Sequence, residues 1–253
     1  MKICVLSGRY PIQNHFLSSE NHRVYCSHHD YTYINCNWPT TSKNRYLNKI
    51  HFLKYYITLF DLIFWIDDDA FFLDIDKSLD EFIPTGNNFL SICKSPSNKK
   101  ITTVFSSGSF MISCSKGEEF VNAILESNLE KVKKWWKPEY GYFTNGDQDI
   151  MVYLYLTDDR FKGKIKLFDH NKFNSRIHDL EKEARIFLLH FTGSLNNKKR
   201  LYKSAQSKLA VGKLLLPDGA FKDYSIIDTS IIRYKLANVY YKLKNSLSQI
   251  IKH

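Results

Sequence analysis

Three consecutive carboxylates, Asp67, Asp68 and Asp69, interrupt a stretch that is otherwise aromatic and aliphatic. Adjacent carboxylates repel one another unless a positive group lies among them. A hard divalent cation with oxygen ligands suits that place, and its remaining coordination positions would accept phosphate oxygens. A solvated acidic turn or a helix N-terminus is the alternative. Because apolar residues enclose the acids on both sides, we favour a metal site.

The elements that must position these acids are predicted from hydrophobic periodicity. An apolar run over residues 62–66 predicts a buried strand, which would place the acids at the ligand-binding carboxyl edge of a sheet. Apolar residues at every third or fourth position of residues 46–60 predict an amphipathic helix leading into that strand. Further strands are predicted at residues 2–6, 31–35, 89–93, 165–168 and 186–189, and a small-residue turn at residues 104–108. Ser115 and Glu118 form a capping-box pattern, which predicts a helix from there to Trp135.

The composition is that of a folded protein. A chain of 253 residues with 43% hydrophobic and 15% aromatic content can bury a sizeable core. We expect no signal peptide, and no apolar stretch approaches the ~20 residues of a membrane span. Five scattered cysteines without a Cys-x-x-Cys pair favour reduced thiols over disulfides or a zinc site. We therefore expect a cytoplasmic location. His28 and His29 are expected to be turn residues.

The positive charge is concentrated near the C-terminus. Residues 198–253 contain twelve Lys or Arg and three Asp, and so carry +9 of the net charge of +10. Residues 226–252 have the pattern of a basic amphipathic helix, which can lie on an anionic membrane surface or pack on the domain with its lysines solvated. Both alternatives stay open. We predict a basic helical extension over residues 201–253.

Two motifs carry a resemblance to a known family. Residues 65–70 resemble the Asp-x-Asp motif of GT-A glycosyltransferases, and in particular the Trp-apolar-Asp-Ser-Asp-Ala signature of glycosyltransferase family 34. The string His-Phe-Thr-Gly at residues 190–193 is nearly identical to one in that family, which includes fungal mannan galactosyltransferases and plant xyloglucan xylosyltransferases. The resemblance spans residues 2–200. It implies an α/β fold, with one GT-A type domain over residues 1–200 and a Rossmann-like mixed sheet flanked by helices.

The resemblance also implies a manganese-dependent, retaining transfer from a nucleotide sugar. Asp67, Asp69 and His190 would hold Mn²⁺ or Mg²⁺, and a neutral imidazole is a suitable ligand beside carboxylates. Asp147 and Gln148 would face the reacting sugar, although Gly146 stands where the family has a further Asp. Acids in the first turn of a helix, which complement its dipole, are the alternative explanation for this stretch.

The donor nucleotide and diphosphate would be bound by residues from several segments. A solvated helix lysine is the alternative for Lys49, because Leu47 stands where the family pattern has Trp. An ordinary strand-to-loop turn is the alternative for residues 7–9. Within the basic run at residues 198–200, the sequence does not decide which residue contacts the diphosphate. The implied donor-binding residues are Ser7, Gly8, Arg9, Lys49, Asp68, Ser107, Gly108, Gly193 and Lys198.

The predicted reaction moves a hexose, with UDP-galactose as the first guess for the donor, to a hydroxyl of a glycan or lipid-linked oligosaccharide. A metal-dependent phosphohydrolase is one alternative, since Asp67-x-Asp69 also resembles the start of the haloacid-dehalogenase motif. Phe71 counts against it, because that motif requires Thr or Val there. Nucleic-acid binding would leave the three acids and His190 unexplained, and no nucleic acid is expected as a partner.

Overall fold

A mixed sheet of six strands is the framework of residues 1–220 in the computed structural model. The strands are β1 (Ile3–Gly8), β2 (Thr32–Cys36), β3 (Leu62–Ile66), β4 (Ala70–Phe72), β5 (Leu90–Lys94), β6 (Phe105–Ser113), β7 (Ile165–Phe168) and β8 (Leu188–His190). The order in the large sheet is β2-β1-β3-β6-β5-β7, and β4 and β8 form a separate pair. The predicted α/β fold with a mixed sheet is confirmed.

The structure describes residues 1–11, 15–96, 103–217 and 220. The residues up to Ala220 belong to one compact unit. The predicted helix over residues 226–252 lies outside the described residues, and the division of the chain at residue 200 stays a prediction. No helix among the described residues is long and apolar enough to cross a bilayer.

The register of the sheet brings three chain segments to one edge. Strand β1 is parallel to both β2 and β3, so the carboxyl ends of β1 and β3 lie together, at Gly8 and Asp67. Strand β6 is antiparallel to β3 and pairs Ser109 with Ile66, which brings Gly108 to the same edge. All five residues of β3 are buried, as expected of a strand covered on both faces.

The small sheet joins distant parts of the sequence. Strands β4 and β8 are antiparallel, and Ala70 pairs with His190. The backbone N–H of Phe191 donates to the carbonyl of Asp69 across 3.0 Å. This pairing places the third acid beside the predicted histidine ligand.

Six α-helices accompany the sheets in the part of the chain that the structure describes. They are α1 (Ser18–His28), α2 (Asn48–Tyr56), α3 (Cys114–Glu126), α4 (Leu129–Trp135), α5 (Asp147–Thr157) and α6 (Leu195–Leu209). Four short 3₁₀ segments lie at Arg45–Leu47, Asp80–Phe82, Pro138–Tyr140 and Ile177–Glu181. The predicted amphipathic helix before β3 is confirmed as α2 with the 3₁₀ turn that precedes it. His29 lies in a turn, as predicted, whereas His28 is the last residue of α1.

The predicted helix from Ser115 to Trp135 is wrong in two respects. Ser113, the last residue of β6, is also the N-cap of α3, so the helix starts at Cys114 without the predicted side-chain cap. The helix also breaks after Glu126, because Ser127 is extended and Asn128 caps a new helix by accepting from the Lys131 N–H. An Asn side chain that satisfies a free backbone N–H is a strong start signal for a helix.

Helices cover the large sheet on both faces. Ile63 and Trp65 of β3 pack in one apolar cluster with residues of α2, α3 and α5, while Phe64 and Ile66 pack in a second with residues of α1. This alternation follows from the two-residue period of a strand. All five cysteines are buried free thiols, as predicted, and burial raises the pKa of Cys4 to about 12.

Candidate active site

A cavity of about 810 Å³ opens at the edge where β1, β3 and β6 meet. Nearly all of the predicted site residues line it: Gly8, Arg9, Lys49, Asp67, Asp68, Asp69, Ser107, Gly108, Asp147, Gln148, His190, Gly193 and Lys198. Ser7 is the exception, because it is buried inside β1 opposite Asn35 and does not line the cavity. Successive residues of a strand face opposite sides of the sheet, so Gly8, the residue after Ser7, lines the cavity instead.

Asp67, Asp69 and His190 converge on one point in this cavity. One ligand atom from each of them lies within 4.8 Å of the others. His190 Nε2 is 3.0 Å from Asp69 Oδ1 and 3.9 Å from Asp67 Oδ2. Asp69 and His190 are buried, and Asp69 Oδ1 has no hydrogen-bond partner. A buried carboxylate oxygen without a donor requires a compensating charge.

The protonation state of His190 is set from the opposite side of its ring. Arg176 Nη1 lies 2.7 Å from Asn174 Oδ1, and an arginine can only donate, so this atom is the amide oxygen. His190 Nδ1, which is 2.8 Å from the same oxygen, must therefore carry the proton. Burial lowers the pKa of His190, and the charge of Arg176 lowers it further, so the imidazole is neutral.

A neutral His190 with its proton on Nδ1 presents the lone pair of Nε2 to two carboxylates. A lone pair facing carboxylate oxygens is repulsive unless a cation lies between them. Two carboxylates and an imidazole whose second nitrogen is fixed by a hydrogen bond form a suitable set for a divalent ion such as Mn²⁺. The residues present thus fit the predicted metal.

Two lysines supply positive charge around these acids. Lys198 Nζ contacts Asp69 Oδ2. Lys49 Nζ lies 3.2 Å from Asp67 Oδ1 and 3.1 Å from Asp147 Oδ2, and it donates to the carbonyl of Ser107 across 2.8 Å. Burial alone would lower the pKa of Lys49, but Asp147 and Asp67 outweigh it and raise the pKa, so the ammonium stays charged. Lys49 is therefore a buried bridging cation and not a solvated helix lysine.

Asp68 has a different environment from the acids on either side of it. Arg9 forms a two-pronged ion pair with it, with Nη2 2.8 Å from Oδ1 and Nε 2.6 Å from Oδ2. Burial and the charge of Asp69 raise the pKa of Asp68 to about 6, despite the opposing effect of Arg9. Asp68 thus fixes Arg9 at the wall of the cavity and is not one of the three converging ligands.

Asp147 and Gln148 begin α5 and line the same cavity. Gln148 Oε1 accepts from the Ser107 N–H across 3.0 Å, which ties α5 to β6. Ser106, Ser107 and Gly108 belong to β6, so the predicted turn there is wrong. Strand β5 pairs Cys93 with Ser106, but its register with β6 shifts between Ile92 and Cys93, so Ser107 and Gly108 lie at a bulge of the strand and not in a turn.

Gly108 allows His190 to approach the strand. A Cβ at residue 108 would lie 2.1 Å from His190 Cε1, so no other residue fits without displacing the ring. Gly193 follows β8 with φ +100°, in the region that favours glycine. Two predicted donor-binding glycines therefore also have structural roles.

The sequence missed residues that hold the converging ligands in place. Asn174 orients His190, and Arg176 fixes the orientation of Asn174. Trp65 Nε1 donates to Asp67 Oδ1 across 2.7 Å. Trp65 is part of the Asp-x-Asp motif at residues 65–70. No sequence pattern indicated Asn174, because it approaches His190 only through the backbone contact between His190 and Ser175.

Comparisons with known proteins identify the fold. No protein-family model matches the sequence, and no curated protein matches it. Among solved structures, the chain is similar to a glycosyltransferase involved in glycosylation of the major capsid of PBCV-1, with a TM-score of 0.61 and 15% identity, over 79% of this chain and 98% of that one. The chain therefore has the GT-A type fold. Membership of family 34 is not confirmed.

Two more distant structures are also glycosyltransferases. The galactosyltransferase LgtC, solved with donor and acceptor sugar analogs, matches with a TM-score of 0.46 and 15% identity, over 84% of this chain and 98% of that one. GlyE of Streptococcus pneumoniae TIGR4 matches with a TM-score of 0.46 and 16% identity, over 77% of this chain and 56% of that one.

Proposed function

We propose that this chain is a metal-dependent, retaining glycosyltransferase that uses a nucleotide sugar. The observation that carries the proposal is the convergence of Asp67, Asp69 and His190, with the Nε2 lone pair of His190 directed at the carboxylates. The ligands come from the end of one strand and from another over a hundred residues away, at the carboxyl edge where α/β sheets bind ligands. The GT-A type fold supports the proposal.

Different residues of the cavity would have different roles in the transfer. Asp67, Asp69 and His190 would hold the divalent ion, which when bound would offset the negative charge that develops on the departing diphosphate. Lys198, Lys49 and Arg9, which pair with Asp69, Asp67 and Asp68 in turn, add fixed positive charge to the lining of the cavity. Buried or partly buried cations stabilise a diphosphate more than solvated ones do, because the local dielectric constant is lower.

Retention requires that the acceptor hydroxyl approach the face from which the diphosphate leaves. The bond from the anomeric carbon to the diphosphate oxygen breaks, the bond to the acceptor oxygen forms, and the hydroxyl proton passes to the departing diphosphate. Asp147 and Gln148, at the start of α5, would stabilise the positive charge that develops on the sugar ring during the transfer. The Gln148 amide is already oriented by Ser107 and Thr103.

The donor is proposed to be a UDP-hexose, with UDP-galactose to be tested first, and the acceptor a glycan or lipid-linked oligosaccharide. The galactose proposal rests on the resemblance of residues 65–70 and 190–193 to the family 34 motifs. The phosphohydrolase alternative is tested in the same experiment, since it would release phosphate from a simple ester without a sugar acceptor.

The decisive experiment for the reaction class is a donor-hydrolysis screen over UDP- and GDP-sugars with Mn²⁺ or with EDTA. We expect hydrolysis of one UDP-sugar, with loss of activity in EDTA and in Asp69→Asn. The matched control is Asp159→Asn, which changes an exposed acid outside the cavity and should leave activity intact. Phosphate release from p-nitrophenyl phosphate, without hydrolysis of any nucleotide sugar, would show that the chain is a phosphohydrolase and not a glycosyltransferase.

The C-terminal segment is proposed to bind the cytoplasmic face of an anionic membrane, where a lipid-linked acceptor would lie. Residues 226–252 contain five Lys or Arg, and each basic residue near anionic lipid contributes on the order of 1 kcal/mol before screening. The test is flotation with anionic vesicles of the full chain against a chain ending at Asp223. Retention of the full chain alone, weakened by salt, supports membrane binding, and equal flotation of both chains contradicts it.

A further inference from the structure

A second group of potential metal ligands lies outside the central cavity. His170, His178 and Asp179 each direct one ligand atom into a common space, and these atoms lie within 4.8 Å of one another. We propose that the three residues form a zinc site that stabilises the segment which positions His190. The proposal does not depend on the proposed enzymatic function.

The spacing of the three side chains is compatible with ligands of one ion. His170 Nε2 is 3.2 Å from Asp179 Oδ1, and His178 Nε2 is 3.4 Å from the same oxygen. Zinc–ligand bonds of about 2.0–2.1 Å at tetrahedral angles separate neighbouring ligand atoms by about 3.3–3.4 Å. Without an ion, the His170 contact is a hydrogen bond at the long end of the usual range of about 2.7–3.2 Å.

The donor set also favours zinc. Two imidazoles and one carboxylate are ligands that Zn²⁺ accepts in tetrahedral geometry, with the fourth position open to water. Asp179 is buried, and its other oxygen accepts from the Arg176 N–H across 2.7 Å, which fixes the carboxylate. The side chains of His170 and His178 are 29% and 54% exposed, so an ion can reach them from solvent.

The position of this site links it to His190. Its ligands flank residues 171–177, and within that segment Asn174 accepts from His190 Nδ1 while the Ser175 carbonyl accepts from the His190 N–H across 2.9 Å. An ion held at both ends of the segment would restrict its movement, in the way that a cross-link closes a loop. Zinc binding would therefore stabilise the segment that fixes the orientation of His190.

The test is a calorimetric titration of the metal-stripped, full-length chain with Zn²⁺. The titration is made in the Asp69→Asn background, which disables the central site. We expect one bound Zn²⁺, and loss of that ion in both His170→Gln and His178→Gln. Replacing Zn²⁺ by Co²⁺ should give the visible absorption of a tetrahedral complex in the parent and not in these two variants.

The matched control is His28→Gln. His28 is also exposed and lies 3.8 Å from the carboxylate of Asp76, but it belongs to no three-ligand group among the described residues. This variant should keep the ion, and saturating Zn²⁺ should raise its melting temperature by about the same few degrees as in the parent. Absence of zinc binding in the parent, or equal binding in all four proteins, would overturn the proposal.

Discussion

His190 Nδ1 donates to Asn174 Oδ1 across 2.8 Å, and this hydrogen bond leaves the other ring nitrogen free to bind a metal. The proton is placed on Nδ1 by a third residue, since Arg176 already donates to the same amide oxygen. The orientation and protonation of His190 are thus fixed by Asn174 and Arg176, which belong to a different segment of the chain.

Replacement of Asn174 should weaken metal binding while the fold persists. Without the amide oxygen, the ring of His190 can rotate and its proton can move to the nitrogen that faces the acids. Loss of such an orienting partner typically costs about 10–100-fold in metal affinity. We therefore expect that order of loss in Asn174→Ala, measured by calorimetric titration with Mn²⁺. Asn171→Ala, which removes an amide bound to Glu183, is the control and should keep the affinity of the parent.

Gly108→Ala should damage the central site through sterics alone. The added Cβ would lie 2.1 Å from His190 Cε1, and the ring must move away from Asp67 and Asp69. We expect Mn²⁺ affinity per folded molecule to fall. Gly117→Ala is the control, because its Cβ would lie 2.4 Å from an Ile112 side-chain atom, away from the cavity. That variant should lose stability by overpacking but retain the affinity, and a similar loss of affinity in both would contradict the account.

Lys49→Met should be destabilising, and Mn²⁺ should partly restore stability. The substitution leaves Asp67 and Asp147 without the ammonium that lies between them. Removal of one partner from a buried ion pair costs about 3–5 kcal/mol. We expect a loss of that order in the free energy of unfolding with EDTA present, and a smaller loss with Mn²⁺.

Lys54→Met is the matched control for this prediction. Its ion pair with Glu118 is partly exposed on both sides, so its removal should change the free energy of unfolding by less than about 1 kcal/mol. Equal effects of the two substitutions in chemical denaturation would show that Lys49 is not a buried bridging cation.

His22 should make the free energy of unfolding decrease as the pH falls below 7. Burial lowers its pKa to about 4, while its Nε2–H donates to the Ala70 carbonyl across 2.8 Å. The unfolded histidine has a pKa of about 6.5, so the unfolded state binds more protons between these values. The contribution of His22 to the free energy of unfolding is therefore fully present above the pKa of the unfolded state, and it is lost as pH falls towards 4.

The loss attributable to His22 is about 2 kcal/mol between pH 7.5 and pH 5. His22→Gln keeps an N–H donor but has no titrating ring, so its free energy of unfolding should fall less steeply over that range. Urea denaturation at several pH values measures both slopes. Parallel slopes for the two proteins would mean that His22 does not contribute to the pH dependence.

The sequence predicted the parts of the site that depend on local pattern. The apolar run before Asp67 identified β3 and placed the acids at the sheet edge, and the periodicity of residues 46–60 identified α2. It could not choose within residues 198–200, because the predicted helical extension started at residue 201, whereas α6 starts at Leu195. The helix presents Lys198 to Asp69, while Arg200 contacts Asn197 on another part of the helix surface.

The parts that the sequence missed depend on pairing between distant segments. The small residues 106–108 predict a turn because they lack strand propensity, yet they lie in β6, where Ser106 pairs with Cys93 of β5 and the register then shifts. Asn174 reaches His190 because the backbone of Ser175 pairs with β8. No local pattern encodes these contacts, and only the tertiary register of the strands fixes them.

Calorimetric binding of UDP with Mn²⁺ or with EDTA shows whether an ion at Asp67, Asp69 and His190 contacts the nucleotide. If Asp67, Asp69 and His190 hold an ion that contacts the diphosphate, Mn²⁺ should raise UDP affinity by at least about tenfold. Asp69→Asn should abolish this gain, and Asp159→Asn should preserve it. Equal UDP affinity with Mn²⁺ and with EDTA would contradict the account.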